Sequence, residues 1–241
     1  MKLIGDYHTH TTYSHGKNTV EENVQSAIRK GLDFICISEH GGGHIFYGVN
    51  KNKLLKMKRE IESLQKKYKN IKIYFGLEAN IIKEDGTIDA DEYYEMFDYL
   101  LIGMHYLIRY DRFLYYYVMN FFSRYLGLFK NYCRKRNTDI IIRCIYKYNN
   151  IFAITHPGER FFIDADRLSR ICAEKNIAME INNAHGYMNA SDASIAVKNG
   201  AKVILSSDAH CSKDVGNISN CLQIIKDANI TASQILNMTE E

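Results

Sequence analysis

The sequence predicts an α/β fold whose parallel strands close, or nearly close, into a barrel of seven strand–helix units. Three observations predict it. Short runs rich in β-branched and apolar residues recur seven times along 241 residues, and helix-like segments separate them. No point along the chain marks where an open sheet would reverse its strand order. The runs are residues 3–7, 34–38, 71–77, 99–103, 151–155, 178–181 and 202–205, each bounded by polar residues or glycine.

Between the second and third runs, Leu54, Met57, Ile61, Leu64 and Tyr68 recur at steps of three and four, the spacing of one helix face. Eight Lys or Arg fall between Lys51 and Lys69, diluted by Glu60 and Glu62. They read as the solvated side of an amphipathic helix rather than a nucleic-acid stripe. After the fourth run the rhythm breaks. An aromatic-rich helical insertion at about 106–137 contains Tyr110-Asp111-Arg112-Phe113-Leu114-Tyr115-Tyr116-Tyr117, and residues 138–148 read as the helix leading into the fifth strand. Two readings of the insertion stand side by side: extra helical packing, or a lid or wall that selects substrate, because loops at that end of a barrel shape the pocket. With no linker, repeat or low-complexity stretch, residues 1–241 read as one domain.

Hydrophobic residues make up 46% and charged residues 24%, the balance of an ordinary globular chain. A net charge of +3 is too small to imply a nucleic-acid or membrane partner. No apolar run approaches the ~20 residues of a membrane span, and the N-terminus lacks the apolar core of a signal peptide, so a cytoplasmic protein is expected. The six cysteines are scattered without a CxxC pair and read as reduced, mostly structural thiols.

Position makes the histidines informative. His8 and His10 end the first run two residues apart, where an extended chain points both side chains the same way. His15 follows in the next loop. His40 ends the second run, Glu78 the third, His105 the fourth and His156 the fifth, while Asp208 and His210 follow the seventh. A barrel gathers the C-terminal ends of its strands on one face, so these nine residues are expected to meet. Imidazole and carboxylate donors suit Zn, Mn or Fe better than Ca or Mg. Nine ligands exceed the need of one ion, which implies two or three, with Glu78 the natural bridge. Two carboxylates against that much metal charge leave a site attractive to an anion such as a phosphate monoester.

Asp6-Tyr7-His8-Thr9-His10-Thr11, Ile37-Ser38-Glu39-His40-Gly41, Gly76-Leu77-Glu78-Ala79-Asn80, Ile154-Thr155-His156-Pro157 and Ser206-Ser207-Asp208-Ala209-His210 together resemble the PHP (polymerase and histidinol phosphatase) family, in its bacterial histidinol-phosphatase-like branch. The resemblance implies a distorted (β/α)7 TIM-like barrel holding three divalent transition-metal ions. It implies one ion on His8, His10, Glu78 and Asp208, a second on Glu78, His105 and His156, and a third on His15, His40 and His210.

The function expected is hydrolysis of a small-molecule phosphate monoester by a metal-bridging hydroxide. Arg160 is a candidate phosphate clamp, with an ordinary surface salt bridge as its other reading. Asp208 could orient water or protonate the leaving group besides binding metal, and Glu78 bridges. His44 and His185 are candidate substrate contacts, and Asn182 or Asn183 could orient a ligand. The family also contains nucleases, so a nuclease or phosphodiesterase is the alternative. An amidohydrolase-type enzyme fits less well, because no suitable lysine follows the fourth strand and the third ligand set would go unexplained. A metal-binding module without catalysis would not need an intact ligand set.

Overall fold

Residues 1–240 are described by a computed structural model. Seven parallel strands run in chain order around the molecule: β2 (Gly5–Asp6), β3 (Phe34–His40), β4 (Lys72–Asn80), β5 (Tyr99–Gly103), β6 (Ile151–Ile154), β7 (Ala178–Asn182) and β8 (Val203–Ser206). A separate antiparallel pair, β1 (Lys2–Leu3) with β9 (Met238–Thr239), ties the chain ends together. Helices cover the outside: α1 (Val20–Arg29), α2 (Lys51–Lys67), α3 (Asn120–Leu126), α4 (Lys130–Lys147), α5 (Ala165–Lys175), α6 (Ala190–Lys198) and α7 (Ser219–Asp227).

The ring is nearly closed. The first and last strands do not form a full ladder, but just beyond them Thr9 bridges Ala209 and the His10 amide donates to the Ala209 carbonyl at 2.9 Å. Below that bridge the fully buried Asp6 carboxylate accepts from the Ser207 and Gly216 amides at 3.2 and 2.8 Å, and from the Ser207 hydroxyl. One acid thus joins the two edges that a barrel must seal.

Alternation along each strand divides the molecule in two. Ile35, Ile37, Ile73, Phe75, Leu77, Leu100, Ile102, Met179, Ile181, Val203 and Leu205 belong to one large core beneath the helices. The opposite parity faces inward. There Tyr7, Leu101, Ala153, Ala178 and Ile204, backed by Phe34, Tyr99 and Phe152, fill the lower end of the barrel. The Tyr7 ring lies 4.6 Å from Phe34, 4.9 Å from Tyr99 and 4.6 Å from Phe152, within the 4.5–7 Å separations that aromatic pairs prefer.

Three boundaries differ from the sequence expectation. Leu3 leaves the barrel to pair with Met238, so the first expected strand is split. The second and third strands continue past residues 38 and 77, with His40 still paired to Glu78, because ladder hydrogen bonding persists where the apolar pattern stops. Residues 130–147 form one continuous helix, so the expected boundary at 137/138 falls inside α4. Ahead of it, residues Leu114–Met119 wind as a π-helix that leads into α3, and Gly127 ends α3 in the left-handed region at φ 71°. All six cysteines are free, five of them buried. Among the described residues, no helix is long and apolar enough to cross a membrane.

Candidate metal centre

Glu78 stands inward near the top of β4, 1% exposed, with five imidazoles around it, His10 Nε2 the farthest at 3.7 Å. Its Oε1 lies 3.0 Å from His105 Nε2 and 2.9 Å from His156 Nε2, and its Oε2 lies 3.3 Å from His8 Nε2 and 2.9 Å from His40 Nδ1. Across the mouth, Asp208 Oδ1 lies 3.2 Å from His10 Nε2 and 3.6 Å from His8 Nε2. Donor atoms converge within 4.8 Å in three overlapping groups: His8, His10 and Glu78; His40, Glu78 and His105; and His10, His40 and His210. His15 completes the cluster with its ring 4.1 Å from that of His210 and 4.9 Å from that of His40. The nine residues singled out from the sequence therefore share one mouth. His40, expected only beside His15 and His210, also reaches Glu78.

The backbone bends to achieve this. His156 and Asp208 have φ of 28° and 52°, a region costly for residues with a Cβ and tolerated chiefly where function holds the chain there. On β5 the absence of a side chain is required. A Cβ at Gly103 would come within 2.4 Å of His105 Cε1 and 2.8 Å of Thr155 Oγ1.

Behind the imidazoles lies a layer that sequence reasoning missed. Glu180, inward on β7, accepts from His8 Nδ1 at 2.7 Å and from the His156 amide at 2.7 Å. Asn80 Oδ1 meets His105 Nδ1 at 2.7 Å, and its side-chain nitrogen donates to the partly buried Asp89 at 2.6 Å. Asp89 also accepts from the Gly43 amide at 2.8 Å, which fixes the loop carrying His44. Glu39 takes the Thr11 amide at 2.7 Å together with the Thr11 and Ser14 hydroxyls. Such partners fix ring orientation and tautomer, leaving the other nitrogen free for a ligand role. A signal for Glu180 was present: an acid inside the apolar run 178–181 is costly unless something pairs with it. Asn182 also belongs to this layer, donating to Glu180 and Asp208 at 3.1 Å each. Asn183 turns away and binds Asn220.

The electrostatics call for cations. Among the described residues, no Lys or Arg lies within ion-pair reach of Glu39, Glu78, Glu180 or Asp208; their charged neighbours are histidines. Burial pushes Glu78 up, but the charges of His105, His8 and His40 outweigh it and hold the carboxyl well below its ordinary range. Asp208 is likewise pushed up by burial and pulled well down by His8 and His10. Burial lowers His10 and His156, yet hydrogen bonds to Asp208 and Glu39 in one case, and to Glu78 in the other, raise each to about 9. His15 goes the opposite way, to about 3, through burial and then the neighbouring charges of His210 and His10. Glu78 Oε2, Asp208 Oδ1 and His40 Nδ1 are buried without a hydrogen-bond partner. His40 Nδ1 and Glu78 Oε2 are close without bonding to each other. Orphaned acceptors of mixed imidazole and carboxylate type, turned toward one space, fit divalent transition metals.

The cluster opens into a pocket of about 210 Å³ whose outer wall carries the other expected residues. His44 accepts at Nδ1 from the Tyr47 amide at 3.1 Å, so Nε2 is its donor. His185 sits between Glu159 Oε1 at 3.2 Å and Asp208 Oδ2 at 3.3 Å. Arg160, its side chain 46% exposed, pairs with Glu159 at 2.9 Å and lies 5.7 Å from the centre of the Tyr106 ring. The salt-bridge partner of Arg160 is thus Glu159, and the pair stands on the pocket wall.

Comparison with known proteins bears on this arrangement. The PHP domain family model matches residues 6–184. A "Probable phosphatase" of Thermoanaerobacter sp. (strain X514) is 30% identical, over 98% of this chain and 91% of its own length. A "Probable phosphatase" of Shewanella loihica (strain ATCC BAA-1088 / PV-4) is 27% identical, over 98% and 90%. Among solved structures, the histidinol phosphate phosphatase of Lactococcus lactis subsp. lactis Il1403, complexed with zinc, L-histidinol and phosphate, superposes with a TM-score of 0.68. That likeness covers 95% of each chain at 20% identity and bears on the fold alone.

Proposed function

The chain belongs to the PHP domain family, and from that premise we propose that it is a metal-dependent phosphatase acting on small-molecule phosphate monoesters through a three-metal centre. One observation carries the reading: buried imidazole and carboxylate donors converge in three overlapping groups, with orphaned acceptor atoms and no lysine or arginine among them to balance the charge. The names of the relatives and the family match support the phosphatase class.

His8, His10, Glu78 and Asp208 would hold one ion, Glu78, His105 and His156 a second, and His15, His40 and His210 a third, with zinc, manganese and iron all compatible with the donors. Bound ions would supply Lewis acidity toward phosphoryl oxygens and acidify water near neutral pH. The protein does the rest. Glu180 and Asn80 lock the His8 and His105 rings so that their Nε2 atoms face inward. Arg160, steadied by Glu159, can take two phosphoryl oxygens through one guanidinium. His44 offers an Nε2 donor from the loop after β3. His185, within 3.3 Å of Asp208, is placed to pass a proton toward the leaving oxygen.

The test is phosphate release from a panel of monoesters, with a phosphodiester and an oligonucleotide alongside. The protein is stripped of metal, then resupplied with zinc, manganese or iron(II). Turnover of monoesters that returns with metal and is lost in a His8→Ala/Glu78→Ala variant is the expected result. Preference for the oligonucleotide would overturn the monoester reading in favour of a nuclease. Full metal occupancy with no turnover of any ester would remove the phosphatase.

A further inference from the structure

A second depression adjoins the metal pocket and has the opposite character. Its volume is about 540 Å³, and Leu107, Val118, Phe121, Phe122 and Tyr125 line it with no charged residue among them. Tyr106 and Leu107 border both this groove and the metal pocket, so the two form one continuous surface. Phe121 and Tyr125 are 51% and 62% exposed. Large apolar side chains held in water next to a polar site mark a binding surface more often than chance exposure.

The wall beneath the groove is fixed to the site. Tyr116, fully buried, donates its hydroxyl to the His105 carbonyl at 2.8 Å, stacks on Tyr110 at 4.0 Å and meets Phe161 in a tilted pair at 4.7 Å. Arg124, between Phe121 and Tyr125 in α3, donates to the Tyr187 hydroxyl at 2.8 Å, reaching the loop that carries His185. On the other flank the Ile45 amide donates to the Leu107 carbonyl at 2.7 Å, and the Arg109 amide donates to the Gly43 carbonyl at 3.0 Å. The groove is therefore held in register with the metal cluster from both sides. A preformed surface costs a ligand little ordering entropy.

We propose that this groove receives the alcohol portion of the substrate, and that this portion is apolar and uncharged, an aryl or long alkyl group. The inference rests on the phosphatase reading and sharpens it. A phosphoryl group seated on the metal cluster leaves its ester oxygen directed outward, and the shared border at Tyr106 and Leu107 is one way out of the pocket. An ammonium group on the leaving alcohol would find no carboxylate in the groove, and a polyol would find few acceptors. Flat or extended hydrocarbon would instead cover Phe121, Phe122 and Tyr125, exchanging exposed apolar area for contact.

Binding of two non-hydrolysable probes, methylphosphonate and naphthylmethylphosphonate, to the zinc-loaded full chain tests this apart from turnover. Calorimetry should find the naphthyl compound at least about tenfold tighter, the order expected for one apolar group filling a complementary site. A Phe121→Ser/Tyr125→Ser variant should lose most of that ratio. In parallel, kcat/KM for naphthyl phosphate relative to glycerol 3-phosphate should fall by a similar factor in the variant. Equal affinity for the two phosphonates, or a ratio the variant leaves unmoved, overturns the groove while leaving the phosphatase standing. A retained binding ratio with no hydrolysis of either ester would keep the groove and remove the phosphatase. Sedimentation of the same two proteins checks the other occupant: a dimer that the variant dissociates, with the phosphonate ratio unmoved, would assign this face to a second copy of the chain.

Discussion

The two ends of the barrel interior are enclosed by one ring of strands and obey opposite rules. At the bottom, Tyr7, Phe34, Tyr99 and Phe152 pack ring against ring and satisfy one another. At the top, continuing the same inward face, Glu78 and Glu180 stand among imidazoles with acceptor atoms left over. The lower end is complete as a piece of protein. The upper end becomes complete only when cations enter, so damage to each end should register in a different observable.

The largest effect is expected from Glu78→Gln. Removing the shared carboxylate takes away several kcal/mol of metal-centred stabilisation, and at ~1.4 kcal/mol per tenfold the loss in phosphate release should be about a thousandfold. Bound zinc should fall in parallel by elemental analysis. Normal zinc content and turnover would break the contrast between the ends.

Phe152→Ala should do the reverse. Truncating a large aromatic in the plug should cost about 3 kcal/mol in urea unfolding, the same with or without zinc, because no donor atom is touched. A penalty that appears only in the metal-loaded protein would show that the ends are coupled. Glu180→Gln probes the border between them. It leaves every donor in place but weakens the grip on His8 and the His156 amide, so zinc affinity should drop about 10- to 100-fold by competition with a chelator.

The smallest effect is a pH signature confined to the stripped protein. His10 and His156, raised to about 9 by neighbouring carboxylates against burial, contribute stability that is fully present below their ordinary 6.5 and is lost as pH rises through 9. His15 and His44, lowered to about 3 and about 4 chiefly by burial, resist protonation, so stability also falls as pH drops from 6.5 toward 4. Asp89, pushed up to about 6 by burial, opposes that acid limb between its ordinary 3.8 and 6. Urea midpoints of the stripped protein should therefore peak near the ordinary histidine value of 6.5. Zinc loading should abolish the fall on the alkaline side, because ligated histidines are already deprotonated. An unchanged alkaline limb after zinc loading would mean that His10 and His156 are not taken up by metal.

Much of this architecture is legible in the amino-acid order. Repeated apolar runs with histidines at their ends are enough for the barrel and for the nine residues at its mouth, since parallel strands that close bring their C-terminal ends together whatever lies between. Boundaries are less legible. Residues 39–40 and 78–80 remain in strands although most of their side chains are polar, because backbone pairing does not depend on side-chain polarity. The supporting layer is the least visible. Asp89 lies nine residues from Asn80, and Glu180 lies 172 from His8, so no local pattern links either acid to what it holds.

The sequence by itself determined the fold class, the chemistry of the donors and the end of the barrel where they gather, because these follow from periodicity and residue type. The tertiary structure alone decided which imidazole faces which carboxylate, that Glu180 and Asn80 aim the rings, and that the aromatic segment lays an uncharged groove against the metal pocket. Those are matters of ångströms between residues far apart in the chain, set by how the strands register and how the loops fold back over them.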